Sequence, residues 1–462
     1  MNNQSGYKFK KFKRFSSIEG KPGKSSHDVS MAMKSPKKDL GLSVDKKEYF
    51  LKPYSNLHVK LHVYEVEAFS SEIYRFLLGN DRAPKVRVLV DENNEVYGTV
   101  SKKIHNYKSF YDVIREKNKR IPNKRLIKAG FGSLIAASYI MEERDLHGGN
   151  YGFNHEGKLS RIDFDQNLLP LVSNRIKRDI PSVETLNNLL THKLEEGNNP
   201  LKDAFKFENQ EAGLAVMETK EEFRFDKWKT FIKLCLLKEE NIKAMLYPHI
   251  KEEKQLNYAT RYVYKRAESI KKQLLKSEDF RMIFLKYSKN MMDSIKKEIS
   301  DYNHDFKSKH PDREVPIHEA EFNKLLKDVY VESLKEQLYK ASAFLKLQTE
   351  EASIFNQEEV KELKEISQAL DEKLKGIDFS KIDNSTDLIS DVSKQLNTAS
   401  AFMSKFNLLD KVTVFLKAVS EGETLPKAFN IAFKNPRVLN KLTNTIMADL
   451  EVLNEQSRHF AP

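Results

Sequence analysis

Residues 143–167 read ERDLHGGNYGFNHEGKLSRIDFDQN and gather many side chains that can bind a metal ion or move a proton. Asp145 and Asn150 are five positions apart, and Asp163 follows Asn150 by thirteen, which fits neither a helix nor a strand period. Phosphoryl transfer requires a carboxylate beside the incoming hydroxyl and oxygen ligands for a divalent metal on the nucleotide phosphates. Asp145 suits the first task, and Asn150 and Asp163 suit the second.

Two glycines lie between these polar residues. Gly148 and Gly149 are expected to let the loop bend, so that Asn150 turns back towards the metal. The competing interpretation is a turn rich in Asp and Asn whose side chains cap helices. That interpretation explains the glycines but not the paired spacing.

The elements around the stretch predict how it is held. Residues 124–141, KRLIKAGFGSLIAASYIM, are apolar nearly all round and predict a buried helix. The strand-like runs YGF and LSRIDF follow it, so the polar side chains are expected on a hairpin at the end of that helix. A hairpin in this place would hold them rigidly at the mouth of a cleft.

The region before residue 105 predicts a small sheet with one helix. KEYFLKPY, KVRVLV and EVYGTVSKK have the composition of strands, and DENN joins the last two as a hairpin turn. Between the first strand and this hairpin, apolar residues recur at three- and four-residue steps from Val66 to Leu77, and Gly79 supplies a C-terminal stop.

These residues resemble the motifs of a known enzyme superfamily. ERDLHGGN resembles the catalytic loop H-R-D-L-x-x-x-N of the protein-kinase superfamily, and IDFD resembles its metal-binding D-F-G segment. DLHGGN is more similar still to the loop of aminoglycoside and choline phosphotransferases. The resemblance implies a bilobal fold, ATP as the phosphate donor and Mg²⁺ or Mn²⁺ as the metal. The roles that it implies are a catalytic base, Asp145; a nucleotide contact, His147; and metal ligands, Asn150, Asp163 and Asp165.

The same resemblance assigns roles in the N-terminal region. Lys52, in YFLKPY, occupies the place of the lysine that binds phosphate. Its partner should be a glutamate on the following helix, with Glu72 slightly favoured over Glu67 and the other expected to face solvent. The adenine ring is expected near Val100, Ser101 and Lys102, where the last strand leads into the hinge between the lobes.

Several features depart from the family pattern. No G-x-G-x-x-G loop is present; Gly20, Gly23 and Lys24 are candidates to cover the phosphates, although a flexible linker is the competing interpretation. Glu143 replaces the histidine of the catalytic triplet, Asp165 replaces the glycine of D-F-G, and no A-P-E segment follows.

The predicted fold class is therefore an α+β bilobal kinase-like fold, with a small β-rich N-lobe and a helical C-lobe, followed by an all-α bundle. Residues 1–45 are expected to form a flexible basic arm, 46–104 the N-lobe and 105–310 the helical C-lobe. HPDREVP, at 310–316, carries two prolines and predicts a boundary before the bundle of residues 317–462.

Composition limits the class of protein. The chain has 462 residues, a net charge of +12 and one cysteine, Cys235, inside the apolar run FIKLCLL. A single buried thiol excludes internal disulfides and indicates a reducing compartment. The N-terminus lacks the apolar core of a signal peptide, and no run reaches the length of a membrane span. We therefore expect a soluble protein, at most peripheral to a membrane.

Two basic regions raise the question of partners. The first could grip an inositol polyphosphate that acts as an activator, although a solvated loop is the competing interpretation; it comprises Lys117, Lys119, Arg120, Lys124, Arg125 and Lys128. The second, residues 394–441, has eight Lys or Arg against three Asp or Glu. Its lysines alternate with phenylalanines, which suits a phosphoinositide membrane surface or a partner protein. Without a groove-reading motif, no nucleic acid is expected.

The sequence therefore predicts an ATP- and metal-dependent kinase that transfers the γ-phosphate to a protein or lipid hydroxyl. The helical extensions and missing activation segment are similar to those of the effector kinases that intracellular bacteria such as Legionella inject into host cells, which implies delivery to the host cytoplasm. The alternatives are a pseudokinase scaffold, a small-molecule phosphotransferase and a kinase-fold adenylyl transferase.

Overall fold

The structure is a computed structural model of the 462-residue chain. It describes residues 10–11, 15–17, 30–34, 48–53, 63–93, 95–117, 120–173, 175–191, 210–307, 315–316 and 318–351, together with residues 361, 364, 365, 368 and 372. The chain divides into two compact units, Met1–Lys324 and Leu325–Pro462. All of the candidate site described below lies in the first unit.

A six-stranded sheet forms the N-terminal part of the first unit. Its strands are β1 (Lys10–Lys11), β2 (Phe15–Ser17), β3 (Ser30–Lys34), β4 (Glu48–Pro53), β5 (Val86–Val90) and β6 (Val96–Lys102). They lie in the order β1-β5-β6-β4-β3-β2, and every neighbouring pair is antiparallel except β1 with β5. The predicted hairpin is present: Asp91 donates its main-chain N–H to Glu95 O at 2.9 Å.

The prediction of a flexible arm over residues 1–45 is wrong for the three strands that fall within it. Strand β3 pairs along its length with β4, and Ala32 is fully buried in a small core with Leu51, Leu89 and Val100. The apolar pattern of this strand is weak, because the residue on its buried face is a small alanine and Met33 is partly exposed.

Helix α1 (Val63–Leu78) packs behind this sheet, as the apolar steps predict. It is buried from Glu65 to Leu78, so polar side chains on all its faces lie inside the protein. Gly79 ends it with φ +109°, a left-handed conformation that glycine adopts readily, and donates its N–H to Arg75 O at 3.0 Å.

The rest of the described chain is mainly helical. The helices are α2 (Phe110–Lys117), α3 (Asn123–Lys128), α4 (Phe131–Ile140), α5 (Leu169–Val172), α6 (Val183–Asn187), α7 (Gln210–Glu218), α8 (Glu221–Cys235), α9 (Glu239–Leu246), α10 (Glu253–Lys276), α11 (Glu278–Lys307) and α12 (Glu319–Glu351). A second sheet, of three strands, interrupts them in the order β7 (Lys108–Ser109), β8 (Tyr151–Phe153) and β9 (Leu159–Arg161).

The single buried helix expected over 124–141 is two helices. Gly130 separates α3 from α4 with φ +84°, and a Cβ there would lie 2.8 Å from the Arg82 guanidinium. That guanidinium donates to Gly130 O at 2.9 Å and to Leu159 O at 2.7 Å. Arg82 therefore links Gly130, just before α4, to Leu159 of β9. Helix α4 itself is buried at every position.

Two composition-based expectations can be compared with the fold. Cys235 is buried at the end of α8, and burial raises the pKa of its thiol to about 12. Within the described portion of the chain, no helix combines the length and the apolar character needed to cross a bilayer. Residues 394–441 lie outside the described residues, so phosphoinositide binding there stays a prediction.

Candidate active site

Lys52 joins the N-terminal sheet to the loop after β9. It lies on β4, and its Nζ donates to Asp163 Oδ1 at 2.9 Å and to Asp165 Oδ2 at 2.6 Å. Glu67 Oε1, on α1, lies 3.9 Å from the same Nζ. The lysine is therefore shared among three carboxylates from two separate parts of the chain.

These carboxylates determine the charge of Lys52. Burial alone would lower the pKa of the ammonium group. Glu67, Asp163 and Asp165 outweigh burial and raise the pKa of Lys52 above its ordinary value. The lysine is thus a permanent cation at neutral pH, as a group that pairs with phosphates must be.

The partner of Lys52 on α1 is Glu67, and the preference for Glu72 is wrong. Glu67 accepts a hydrogen bond from Thr99 Oγ1 at 3.0 Å, which holds its carboxylate over strand β6 and close to β4. Glu72 lies on another face of the helix and is 1% exposed, so neither glutamate faces solvent. The expectation of one solvated glutamate is therefore also incorrect.

Glu72 belongs to a buried polar network that we call the α1 network: Glu72, Arg75, Arg87, His249, Tyr302 and Asp305. Glu72 accepts from Arg75 Nη1 at 3.0 Å and from Tyr302 OH at 3.1 Å. Arg75 in turn pairs with Asp305 Oδ2 at 2.5 Å. Two further contacts hold the ends of the helix: the Lys251 N–H donates to Glu65, and Lys233 Nζ donates to Leu77 O at 3.0 Å.

The α1 network should make stability depend on pH through His249. Burial lowers the pKa of His249 to about 4, whereas an unfolded histidine titrates near 6.5. As the pH falls below that value, the unfolded chain gains a proton that the folded chain does not. The free energy of unfolding should therefore drop by about 2 kcal/mol between pH 7 and pH 5.

Urea denaturation at the two pH values measures this loss, and His249→Gln should remove it. Glu72 does not interfere in this range: burial would raise the pKa of its carboxyl, but Arg75 and the other cations around it hold that pKa well below its ordinary value. If the variant loses as much stability as the native protein, His249 is not the source.

Asp145 and Asn150 are in direct contact. Asn150 Nδ2 donates to Asp145 Oδ2 at 2.8 Å and to Asp145 O at 3.1 Å. This donation turns the Asn150 amide oxygen away from Asp145, as a metal ligand requires. Asn150 O accepts the N–H of Ile162 at 2.8 Å, which places the loop beside the residue that precedes Asp163.

A fully buried ion pair, Glu143 with Arg161, holds this loop. Arg161 Nη2 lies 2.8 Å from Glu143 Oε2, and Arg161 Nη1 donates to Asn150 O at 2.8 Å. Glu143 Oε1 accepts the N–H of Asp145 at 2.9 Å. Burial would lower the pKa of Arg161, but the Glu143 carboxylate outweighs it and raises that pKa. Glu143 therefore connects the loop to β9.

His147 lies against Asp145 on the other side of the loop. The His147 Nδ1 accepts the N–H of Gly149 at 3.0 Å, so in the neutral ring the proton is on Nε2, which lies 3.5 Å from Asp145 Oδ1. The Tyr111 ring stacks on the imidazole with 6.0 Å between centroids. The position of His147 beside the proposed base is thus fixed by Tyr111 and Gly149.

The loop does turn at the glycine pair, where the N–H of Asn150 donates to His147 O at 2.8 Å, but the turn needs no left-handed φ at either glycine. The positive-φ glycines of the described residues do not include Gly148 or Gly149. A Cβ on Gly148 would lie 2.7 Å from the Tyr111 ring, and one on Gly149 would lie 2.8 Å from His147. Close packing therefore excludes a larger residue at both positions of this turn.

The positive φ occurs instead at Asp163, with a φ of 62°. This left-handed conformation is unfavourable for most residues and is best tolerated by Asp and Asn. The next residue, Phe164, is fully buried, and its ring lies 4.9 Å from the ring of Tyr74 on α1. The phenylalanine anchors the segment, and Asp163 directs its carboxylate to Lys52.

The side chains at this site could bind a metal ion only if the phosphate oxygens of a nucleotide complete its coordination shell. Among the described residues, no three His, Cys, Asp or Glu side chains are grouped so that they could hold a metal ion. Asp165 is 5% exposed and contacts Lys52, so its role as a ligand stays a prediction. Asn150 and Asp163 remain as oxygen donors, and Mg²⁺ characteristically takes one or two protein ligands and fills its shell with phosphate oxygens and water.

The structure describes only some of the other predicted site residues. Val100, Ser101 and Lys102 lie inside strand β6, paired with Leu51, Phe50 and Tyr49, so the connection to the helical part begins after them. Gly20, Gly23, Lys24 and Lys119 lie outside the described residues.

The described members of the first basic region have contacts of their own. Arg120 donates to Asn123 at 2.8 Å, and Arg125 lies 5.0 Å over the Phe153 ring. Lys117, Lys124 and Lys128 are exposed. Polyphosphate binding by these residues stays a prediction.

Sequence reasoning missed Arg161, Tyr111 and the role of Glu143. Arg161 carried a usable signal: in LSRIDF it alternates with Leu159 on the face that a strand would bury, and a buried arginine needs a carboxylate partner. Tyr111 gave no such signal, because its contact with the loop joins segments that are distant in sequence.

No family model matches the sequence, and no curated protein matches it. Among solved structures, the chain is similar to the crystal structure of a Helicobacter pylori proinflammatory kinase, CtkA, with 13% sequence identity and a TM-score of 0.33. The match covers 57% of this chain and 99% of that one. The assignment of function therefore depends on the site itself.

Proposed function

We propose that this protein is a metal-dependent kinase that transfers the γ-phosphate of ATP to a hydroxyl group. One observation carries the proposal: a buried lysine on the small sheet is shared between Glu67 of the adjacent helix and Asp163 after β9. In phosphoryl transfer, that combination orients a nucleotide's phosphates and places a metal ligand beside them.

Each residue has a distinct task in this proposal. Asp145 accepts the proton of the incoming hydroxyl. The Asn150 amide donates to its carboxylate and orients it, and the His147 ring lies beside the same carboxylate. Lys52 pairs with the phosphates, and Glu67 holds the lysine towards them. A bound Mg²⁺ or Mn²⁺, held by Asn150 and Asp163, would neutralise phosphate charge in the transition state.

The experiment uses ATP labelled in turn at the γ- and α-phosphate, with a cell lysate and a heat-stable small-molecule extract as separate acceptors. A kinase transfers the γ label alone, at a rate that depends on Mg²⁺ or Mn²⁺. Transfer of the α label would instead support adenylyl transfer. If neither label is transferred, the proposal fails and a pseudokinase scaffold is favoured. Label confined to the small-molecule extract would indicate a small-molecule phosphotransferase.

Several finer predictions belong to the same proposal and are supported by the sequence alone. They are a host-cell effector role like that of the Legionella kinases, activation by an inositol polyphosphate and targeting to phosphoinositide membranes. Repeating the label transfer with and without inositol hexakisphosphate tests the second of these.

A further inference from the structure

A short surface segment lies directly beside the proposed catalytic loop. Residues 175–180, which we call the acceptor segment, connect α5 to α6. Arg144, the neighbour of Asp145 in sequence, donates from Nη2 to Lys177 O at 3.4 Å, and its main-chain N–H donates to Gln166 O at 3.3 Å. One arginine therefore joins the loop that carries the proposed base, the stretch after Asp163 and the acceptor segment.

The acceptor segment is held in one conformation by buried groups. Arg266, which is 1% exposed, donates to Asp179 O at 3.0 Å and to Asp179 Oδ2 at 3.1 Å. The Asp179 N–H donates to Glu142 Oε1 at 2.9 Å, and Tyr262 OH donates to Glu142 Oε2 at 2.6 Å. The surface beside Asp145 is thus built before any acceptor arrives.

This surface is positively charged. Arg175 and Lys177 are exposed, and Arg144 contacts the segment at Lys177 O. Arg178 is exposed as well, but its guanidinium lies 4.3 Å over the Tyr262 ring and donates to Tyr262 O at 3.2 Å. The acidic residue within the segment, Asp179, is already paired with Arg266. The next exposed carboxylate along the chain, Glu184, lies in α6 beyond Pro181. Arg175 and Lys177 therefore face solvent, and Lys177 belongs to the segment that Arg144, the neighbour of Asp145, contacts.

An apolar side chain adjoins these charges. Ile180 is 79% exposed, the largest exposed fraction among the large hydrophobic residues that the structure describes. A single isoleucine is too little to anchor a membrane, which requires a broad apolar helix face or acyl chain. It is enough for one apolar side chain of a polypeptide that lies across the segment.

We propose that the acceptor is a polypeptide hydroxyl flanked by acidic residues, docked on the cations of the acceptor segment with an apolar residue against Ile180. This inference rests on the proposed function and specifies its substrate class. Electrostatic complementarity of this kind selects partners and speeds their encounter more than it tightens binding, and it weakens as salt is added.

The test compares three synthetic peptides of equal length, each with one central serine, flanked by glutamates, glutamines or lysines. With γ-labelled ATP, kcat/KM for the glutamate peptide should exceed that for the glutamine peptide by about 10-fold, as expected from a few exposed ion pairs. The lysine peptide should be the poorest acceptor. The preference should shrink when 0.5 M NaCl is added.

The charge-reversed variant Arg175→Glu/Lys177→Glu should lower the ratio of the glutamate to the glutamine peptide to about 1 or below. The matched control is Lys289→Glu/Lys297→Glu, the same change in net charge on exposed positions of α11, which should keep the native ratio. Equal ratios in the two variants would overturn the inference.

Further measurements distinguish failure of the acidic-acceptor inference from failure of the proposed function. Equal kcat/KM for the three peptides in the native protein overturns the acidic acceptor and leaves the kinase proposal standing. Label found in phosphatidylinositol vesicles but not in peptides would also overturn the acidic peptide acceptor and leave the kinase proposal standing, with a lipid as the acceptor. If no acceptor is labelled and ATP is not turned over, both the acidic-acceptor inference and the proposed kinase function are wrong.

Discussion

Asp163→Asn should reduce phosphoryl transfer by at least about 10²-fold, the loss typical when one charged or donor group is removed from a preorganised site. The substitution keeps the shape of the side chain but removes the negative charge that faces Lys52 at 2.9 Å. It also removes the strongest oxygen ligand that the loop offers to a metal. The rate of γ-label transfer at saturating Mg²⁺ measures the effect.

A matched control separates this loss from general damage. Asp305 has the same exposed side-chain fraction as Asp163, 33%, and pairs with Arg75 rather than Lys52. Asp305→Asn should therefore lower stability without comparable loss of transfer. Native turnover in Asp163→Asn, with the same melting temperature as the native protein, would show that the site has been assigned to the wrong residues.

Arg161→Met should lower the free energy of unfolding by about 3–5 kcal/mol, because it leaves the Glu143 carboxylate buried without its cation. Both side chains are essentially inaccessible, at 0% and 1% exposure, so solvent cannot compensate for the lost charge. The variant also loses the hydrogen bond to Asn150 O. Urea denaturation measures the stability.

The double variant Glu143→Gln/Arg161→Met keeps this prediction testable if the single variant fails to fold. It removes both charges together, so it should be more stable than Arg161→Met by about 1–3 kcal/mol. We expect transfer to be low in both variants, because Asn150 O loses the hydrogen bond from Arg161 that joins the loop to β9. A double variant no more stable than the single one would mean that the ion pair does not organise the loop.

The sequence predicted the elements of the site where apolar periodicity or fixed spacing carried the information. The steps from Val66 to Leu77 predicted α1. Of the three spaced polar residues, Asp145 and Asn150 are in direct contact, and the residue before Asp163 donates to Asn150 O. The role of Lys52 came from the family resemblance and stays a proposal. The structure adds that Lys52 pairs with Thr99 of β6 and that Thr99 donates to Glu67.

The choice between Glu67 and Glu72 could not be made in the same way. Periodicity distinguishes a buried from a solvated helix face, but α1 is buried on all sides, so both glutamates are inside. What separates them is tertiary: Arg75 and Tyr302 hold Glu72, and Thr99 holds Glu67. A similar limit applied to the break at Gly130, which depends on Arg82 from a distant part of the chain.

The α1 network has a pharmacological consequence. To move α1 outward, Glu72 would have to leave Tyr302 and Arg87, and the buried Arg87 guanidinium would lose its carboxylate at a cost of about 3–5 kcal/mol. A conformer with that helix displaced would then be rarer than about one molecule in a hundred. Inhibitors that select such a conformer should bind this chain poorly, whereas compounds that pair with Lys52 while α1 stays in place should not be so penalised.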